Sequence, residues 1–311
     1  MTDRQTLIYP APLREGDKIV FCSPAGLIAP EKVEAAAEVL RGQGWRVAIM
    51  PHAFGEHGSF SGTPDERYAD LSDALLDPEV KAIICSRGGY GVVHILDRLN
   101  RLDLRANAKW IAGFSDISAL HALMSVNGIA SLHSSMAAHI MLGADDPDNA
   151  AMFAILRGER PAYTFDGHNF DRCGVATGKL LGGNVAVIAE LISTPYDIIV
   201  PGSILFIEDI AEPIYKIERI LYQLKLSGVL GRLNGLIVGQ FTDYKPDSNF
   251  NDMYEMIRDA TASYDYPVAY NAPIGHVDHN IPLIESAQVT LKVNPSGRNS
   301  LIFHRSPSDE K

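Results

Sequence analysis

The sequence is short of cysteine, of basic charge and of long uncharged apolar runs, and each shortage excludes a class of function. Cys22, Cys85 and Cys173 are odd in number, far apart and without a CxxC spacing, which excludes a disulfide framework and a thiolate zinc site. A reducing cytosol is the expected setting. Lys and Arg number 27 against 38 Asp and Glu, a formal net charge of −11, so the basic face that a phosphate backbone requires is missing and nucleic acid is not an expected partner. No uncharged apolar run reaches membrane-spanning length, and Met1 to Thr6 contain no basic segment leading into an apolar one. A cytoplasmic chain without a membrane or targeting segment is therefore expected. What remains is an ordinary globular composition, 46% hydrophobic and 21% charged, with 311 residues pointing to two domains.

The first half alternates apolar runs with helical patterns. Lys18 to Cys22, Trp45 to Met50, Val80 to Ser86 and Trp110 to Gly113 read as strands, and Pro30 to Leu40, Asp65 to Leu76, Val92 to Asn100 and Ile117 to Val126 as helices. This βαβα alternation predicts an α/β fold: a doubly wound, mostly parallel sheet whose ligands bind beyond the carboxyl ends of its strands. Three such ends carry glycine-rich or polar loops, at residues 23–26, 86–91 and 113–116, and these are expected to converge. Residues 1–157 are assigned to this domain. The aperiodic, Gly-, Pro-, Asn- and Asp-rich stretch 158–174 is assigned as a linker, and 175–311 as a smaller C-terminal α/β domain. In that domain Val175 to Leu181, Ser203 to Ile207, Leu233 to Val238 and Gln288 to Lys292 read as strands. Asn184 to Ile192 and Ile214 to Leu226 read as helices, a long connection starts at Thr242, and a charged, frayed tail is expected from Ser306.

Chemistry concentrates where Gly113-Phe114-Ser115-Asp116 passes from a strand into a helix. A sharp turn there lifts the Ser115 hydroxyl from the sheet edge and brings backbone N–H groups near an oxyanion. The plainer reading is that Ser115 or Asp116 caps the helix. A serine nucleophile needs a base and an orienting acid. Among ten histidines, His276 stands out in a loop stiffened by Gly275, Pro273 and Pro282; His279 is its rival, and the two at His-x-x-His spacing admit a metal reading that no further ligand supports. The acid is Glu208, at the end of the apolar run Ile204 to Ile207; a solvated strand end or a charge at the next helix N-terminus, a place Asp209 and Glu212 also suit, is the alternative. The loop Ser86-Arg87-Gly88-Gly89-Tyr90-Gly91 has a phosphate-loop context without the full spacing. Its glycines either present an N–H to an oxyanion or make a tight turn.

Together, Ser86 to Gly91, Gly113 to Ser118, Gly178-Lys179-Leu180-Leu181-Gly182-Gly183-Asn184, Ile207-Glu208-Asp209 and Gly275-His276 resemble the LD-carboxypeptidase family of serine peptidases, which also includes the microcin C immunity hydrolases. The resemblance spans nearly the whole chain. It implies Ser115 as nucleophile, His276 as base and Glu208 as its orienting acid, with Gly89 and Asp116 as oxyanion-hole donors, the serine in one domain and its partners in the other. The implied substrate is the L,D bond to the terminal D-alanine of murein tetrapeptides in peptidoglycan recycling. Arg87 either grips the terminal carboxylate or pairs with Asp116 or another local acid. Asn184 either binds substrate or caps a helix. No cofactor or metal is implied, and a homodimer is. The alternatives are a peptidyl- or aminoacyl-nucleotide hydrolase with the same triad, and a non-enzymatic nucleotide-binding protein.

Overall fold

The structure, a computed structural model, describes residues 6–305. Strands are β1 (Lys18–Cys22), β2 (Arg46–Ile49), β3 (Val80–Cys85), β4 (Trp110–Gly113), β5 (Ser131–His133), β6 (Ala162–Asp166), β7 (Gly174–Asn184), β8 (Ile204–Ile210), β9 (Gly235–Thr242), β10 (Val268–Ala269), β11 (Leu283–Glu285), β12 (Gln288–Val293) and β13 (Arg298–Phe303). Helices are α1 (Pro30–Gly42), α2 (Pro64–Leu76), α3 (Leu96–Leu99), α4 (Ser118–Val126), α5 (Ala137–Ile140), α6 (Pro147–Leu156), α7 (Val185–Leu191), α8 (Ile214–Leu226) and α9 (Met253–Thr261).

The chain divides into two compact units: residues up to Glu159 together with Ile281–Glu285, and Arg160–Asn280 together with residues from Ser286 onward. The first unit holds a six-stranded sheet of order β11-β5-β4-β3-β1-β2, parallel throughout except for antiparallel β11 at its edge. Strands covered on both faces must be apolar along their length, and β3 and β4 are buried at nearly every position. Helix α2 starts where its sequence says it should: Pro64 follows Thr63, and Thr63 and Glu66 exchange the two hydrogen bonds of a capping box. The loops after β1, β3 and β4 leave three adjacent strands at their carboxyl ends, and they do converge, with Gly26 N–H donating to the Gly88 carbonyl at 3.0 Å.

The second unit holds a seven-stranded sheet of order β10-β9-β8-β7-β12-β13-β6. Its β10-β9-β8-β7 half is parallel and its β7-β12-β13-β6 half antiparallel. The stretch 158–174 is not the expected linker, because β6 lies within it and pairs with β13. Only Phe165 of β6 is buried, so this edge strand needs one apolar residue and leaves almost no hydrophobic signature. The connection after Thr242 carries α9, β10 and β11. Helix α9 was readable: Met253, Met256, Ile257 and Ala260 recur at helical spacing and are buried, and Asp252 caps the Glu255 N–H. The expected tail from Ser306 and the N-terminal reading of Met1 to Gln5 lie outside the described residues.

Candidate active site

The Ser115 turn is built by strain and close packing. Phe114 is extended, Ser115 adopts φ +67°, and a 3-10 turn over Ser115–Ile117 leads into α4. A left-handed conformation costs a residue with a Cβ about 1–2 kcal/mol, so the surrounding fold must impose it. The N-cap positions of the 3-10 turn and of α4 are held by Phe114 and Ile117, which make no side-chain cap hydrogen bond. The Asp116 carboxylate, buried, accepts the Val92 N–H at 3.0 Å. Gly88 lies directly against the serine: a Cβ there would sit 2.7 Å from Ser115 Cβ and 2.9 Å from its Oγ, so no other residue fits without displacing the hydroxyl. Gly89, exposed at φ +110°, uses its N–H in no hydrogen bond among the described residues. Behind the turn, buried His121 donates Nε2–H to the Gly113 carbonyl at 2.9 Å, and its Nδ1 accepts from Ser131 Oγ at 2.9 Å. Burial lowers its pKa to about 4, against the pull of the Gly113 bond, so the ring stays neutral and keeps this tautomer.

Glu208 and His276 come together within the second unit. Ile204 to Ile207 fill β8 with buried apolar side chains, and a register irregularity between Ile207 and Asp209 follows. Glu208 and Asp209 are both buried there. Glu208 has no exposed surface, which removes the solvated-strand-end reading. Its Oε2 lies 2.7 Å from His276 Nδ1, and the His276 side chain is 17% exposed. A neutral His276 donates Nδ1–H to the carboxylate and leaves Nε2 with a lone pair, the arrangement of a general base. Gly275 permits this: at φ +119°, a Cβ would lie 2.7 Å from Glu208 Oε2. Asn280 Oδ1 accepts the Gly275 N–H at 2.9 Å and fixes the loop.

The other candidates separate. Arg87 is exposed and donates from Nη1 to the Leu27 carbonyl at 2.6 Å; the cation buried with Asp116 is Arg67, not among the candidates above. Its signal was available, since Arg67 stands in the stripe Arg67, Asp70, Leu71, Ala74, Leu75 that α2 buries, where a charge is out of place. Asn184 caps α7 through the Val187 N–H at 3.2 Å and donates Nδ2–H to Asp209 Oδ1 at 2.9 Å. Asp209, not Glu208, serves a helix N-terminus, accepting the Ala186 N–H of α7 at 3.0 Å. Burial pushes its pKa up to about 6, with the Glu208 charge adding to the rise and the Asn184 and backbone bonds opposing it. His279 is exposed and lines a cavity of about 430 Å³ with Gln240, Asn271 and Arg298. The one cluster among the described residues with metal-ligand proximity is His139, Asp146 and Asp148, not His276 and His279.

Residues 19–134 match the LD-carboxypeptidase N-terminal domain and residues 177–291 the LD-carboxypeptidase C-terminal domain. The probable murein peptide carboxypeptidase of Bacillus subtilis is 31% identical over 290 residues, covering 91% of each chain. The murein tetrapeptide carboxypeptidase of Pseudomonas aeruginosa is 29% identical over 277 residues, covering 85% of this chain and 89% of its own. Among solved structures, the muramoyltetrapeptide carboxypeptidase from Oxalobacter formigenes superposes with a TM-score of 0.83 at 26% identity, covering 93% of this chain and 99% of its own. The microcin C7 self immunity protein shares the fold at a TM-score of 0.83 and 21% identity, covering 96% and 99%.

Proposed function

From the premise that the chain belongs to the LD-carboxypeptidase family, we propose that it is a serine carboxypeptidase cutting the bond between an L-centre and the terminal D-alanine of murein tetrapeptides. The buried Glu208–His276 hydrogen bond carries this reading, because it holds an imidazole in the tautomer a general base needs. The strained Ser115 turn supports it from the other unit. In the proposed sequence His276 Nε2 takes the Ser115 proton as Oγ attacks the carbonyl preceding D-alanine. The N–H groups of Gly89 and Asp116 stabilise the oxyanion. D-Alanine departs with the proton from His276, and water hydrolyses the acyl-enzyme through the same groups. Arg87, exposed on the same loop as Gly89, is the proposed grip on the terminal carboxylate. Asn184 sets the β7–α7 turn, which is its proposed contribution to substrate binding. No cofactor or metal enters these steps.

We place the enzyme in the cytoplasm as a homodimer. The family resemblance and the cysteine pattern support that placement, as does the absence among the described residues of a helix long and apolar enough to cross a membrane. Sedimentation and cell fractionation test it. The reaction is tested by incubating the protein with murein tetrapeptide, pentapeptide and an aminoacyl nucleotide and reading products by mass spectrometry. The expected result is one D-alanine released from the tetrapeptide alone, with Ser115→Ala, Glu208→Ala and His276→Ala slower by orders of magnitude yet folded. Cleavage confined to the nucleotide transfers the triad to the microcin-type reaction. Near-normal release by Ser115→Ala refutes the nucleophile, and loss of activity to a chelator returns His276 and His279 to a metal.

A further inference from the structure

Buried opposite charges grip a single peptide group beside the oxyanion loop. Arg67 is 1% exposed and Asp116 4%. Arg67 Nη1 donates to the Gly91 carbonyl at 2.8 Å, and Asp116 Oδ2 accepts the Val92 N–H at 3.0 Å. That carbonyl and that N–H belong to the same planar unit, so its position and tilt are both fixed. The remaining donors of the guanidinium reach outward from this point. Nη1 also meets the Pro24 carbonyl at 2.7 Å, Nε the Gly62 carbonyl at 3.2 Å, and Nη2 approaches His94 Nδ1 at 3.2 Å. Three loop segments, those containing Pro24, Gly62 and Gly91, are thus tied to one rigid fork, whose planar donors lysine does not reproduce. Burial disfavours the charged guanidinium and the Asp116 carboxylate offsets part of that cost.

The consequence lies in the two oxyanion donors. Gly89 is two residues before the gripped peptide, and Asp116 supplies both the acid of the grip and the second proposed N–H. We propose that Arg67 is a positioning residue of the reaction, setting the spacing of the Gly89 and Asp116 N–H groups through the Gly91–Val92 peptide. The inference rests on the carboxypeptidase reading for its reaction, while its geometry stands within one unit. Gly91 leaves the guanidinium its place: at φ +124°, a Cβ would lie 2.8 Å from Arg67 Nη1 and 2.9 Å from the Phe60 ring.

The test measures kcat and KM for D-alanine release by wild type, Arg67→Lys, Arg67→Ala and Gly91→Ala, with folding checked by circular dichroism. Misplacing an oxyanion donor costs about a hundredfold in turnover. The expected result is a kcat reduced about a hundredfold in Arg67→Lys with KM changed less than threefold, and partial recovery of kcat in Arg67→Ala on adding guanidinium ion. A melting temperature that falls while kcat stays within threefold of wild type overturns the positioning role. Should the Arg67 variants not fold, Gly91→Ala keeps the guanidinium and displaces it, and an unchanged kcat there overturns the proposal equally. A wild-type protein that releases no D-alanine refutes the carboxypeptidase reading and this inference with it, whereas an active wild type beside an unimpaired, folded variant refutes this inference alone.

Discussion

Replacing Glu208 by glutamine keeps its shape and removes its charge, and the surroundings of the two carboxylate oxygens set the outcome. Oε2 receives His276 Nδ1–H at 2.7 Å, while Oε1 is buried without a hydrogen-bond partner among the described residues. If the new amide keeps its carbonyl toward His276, its NH2 occupies the Oε1 position as a buried donor with no acceptor, at a cost of about 1–3 kcal/mol. The flipped amide avoids that cost by donating to Nδ1, which forces the proton onto Nε2 and abolishes the base. The wrong tautomer is then favoured about 5- to 150-fold, since about 1.4 kcal/mol is a factor of ten. The molecules that keep the right tautomer lose the charge-assisted part of the bond to the forming imidazolium, about 1 kcal/mol or a further 5- to 10-fold. Glu208→Gln should therefore lower kcat about 25- to 1500-fold with little change in KM. The assay is D-alanine release from a tetrapeptide, coupled to D-amino acid oxidase, on protein with a wild-type circular dichroism spectrum. A kcat within threefold of wild type refutes the assignment of Glu208 as orienting acid.

Ser115→Ala keeps a Cβ at φ +67° whereas Ser115→Gly relieves it. Both should be inactive, with the glycine variant more stable by up to about 1 kcal/mol in urea unfolding, the relief of about 1–2 kcal/mol less about 0.4–1 kcal/mol for the freer unfolded chain; a glycine variant less stable than the alanine one would refute the strain. Asp209 titrates near 6 in the fold against an ordinary 3.8, so the native state holds its proton longer than the unfolded chain. Stability should fall as pH rises through that window, by up to about 3 kcal/mol, and Asp209→Asn should flatten the curve. A wild-type stability that rises over this range through Asp209 contradicts the burial argument. His121 acts with the opposite sign in the first unit, titrating near 4 against 6.5, so its contribution is lost as pH falls from 6.5 toward 4. His121→Gln should remove that loss, read from denaturant midpoints at pH 4.5 and 7; an unchanged difference between them would contradict it.

Local chemistry made the first sheet legible. Buried parallel strands are apolar runs, and Thr63, Pro64 and Glu66 announce a helix start by hydrogen bonds that close within one turn. Helix α9, within the long connection expected after Thr242, is equally legible from its spacing. Strand β6 was not, because its pairing with β13 joins residues more than a hundred positions apart and only Phe165 must be apolar. The Arg87 loop showed the same limit. Its glycines marked a turn, but nothing in it named the distant Arg67 that holds it.

The sequence offered Ser115, Glu208 and His276 as candidates whose joint role is what the family resemblance implies; by itself it determined the parallel α/β order of the first half and the glycine-rich loops at the strand ends. These follow from periodicity, turn chemistry and apolar runs, all of them short-range. Only the tertiary structure decided that the Asp116 carboxylate holds the Val92 N–H, that Glu208 is sealed from solvent beside Gly275, and that Asp209 rather than Glu208 serves the N-terminus of α7. A carboxylate's role depends on what surrounds it in space, because burial, opposing charge and available donors set whether it ionises and what it holds. That environment is assembled from residues remote in sequence.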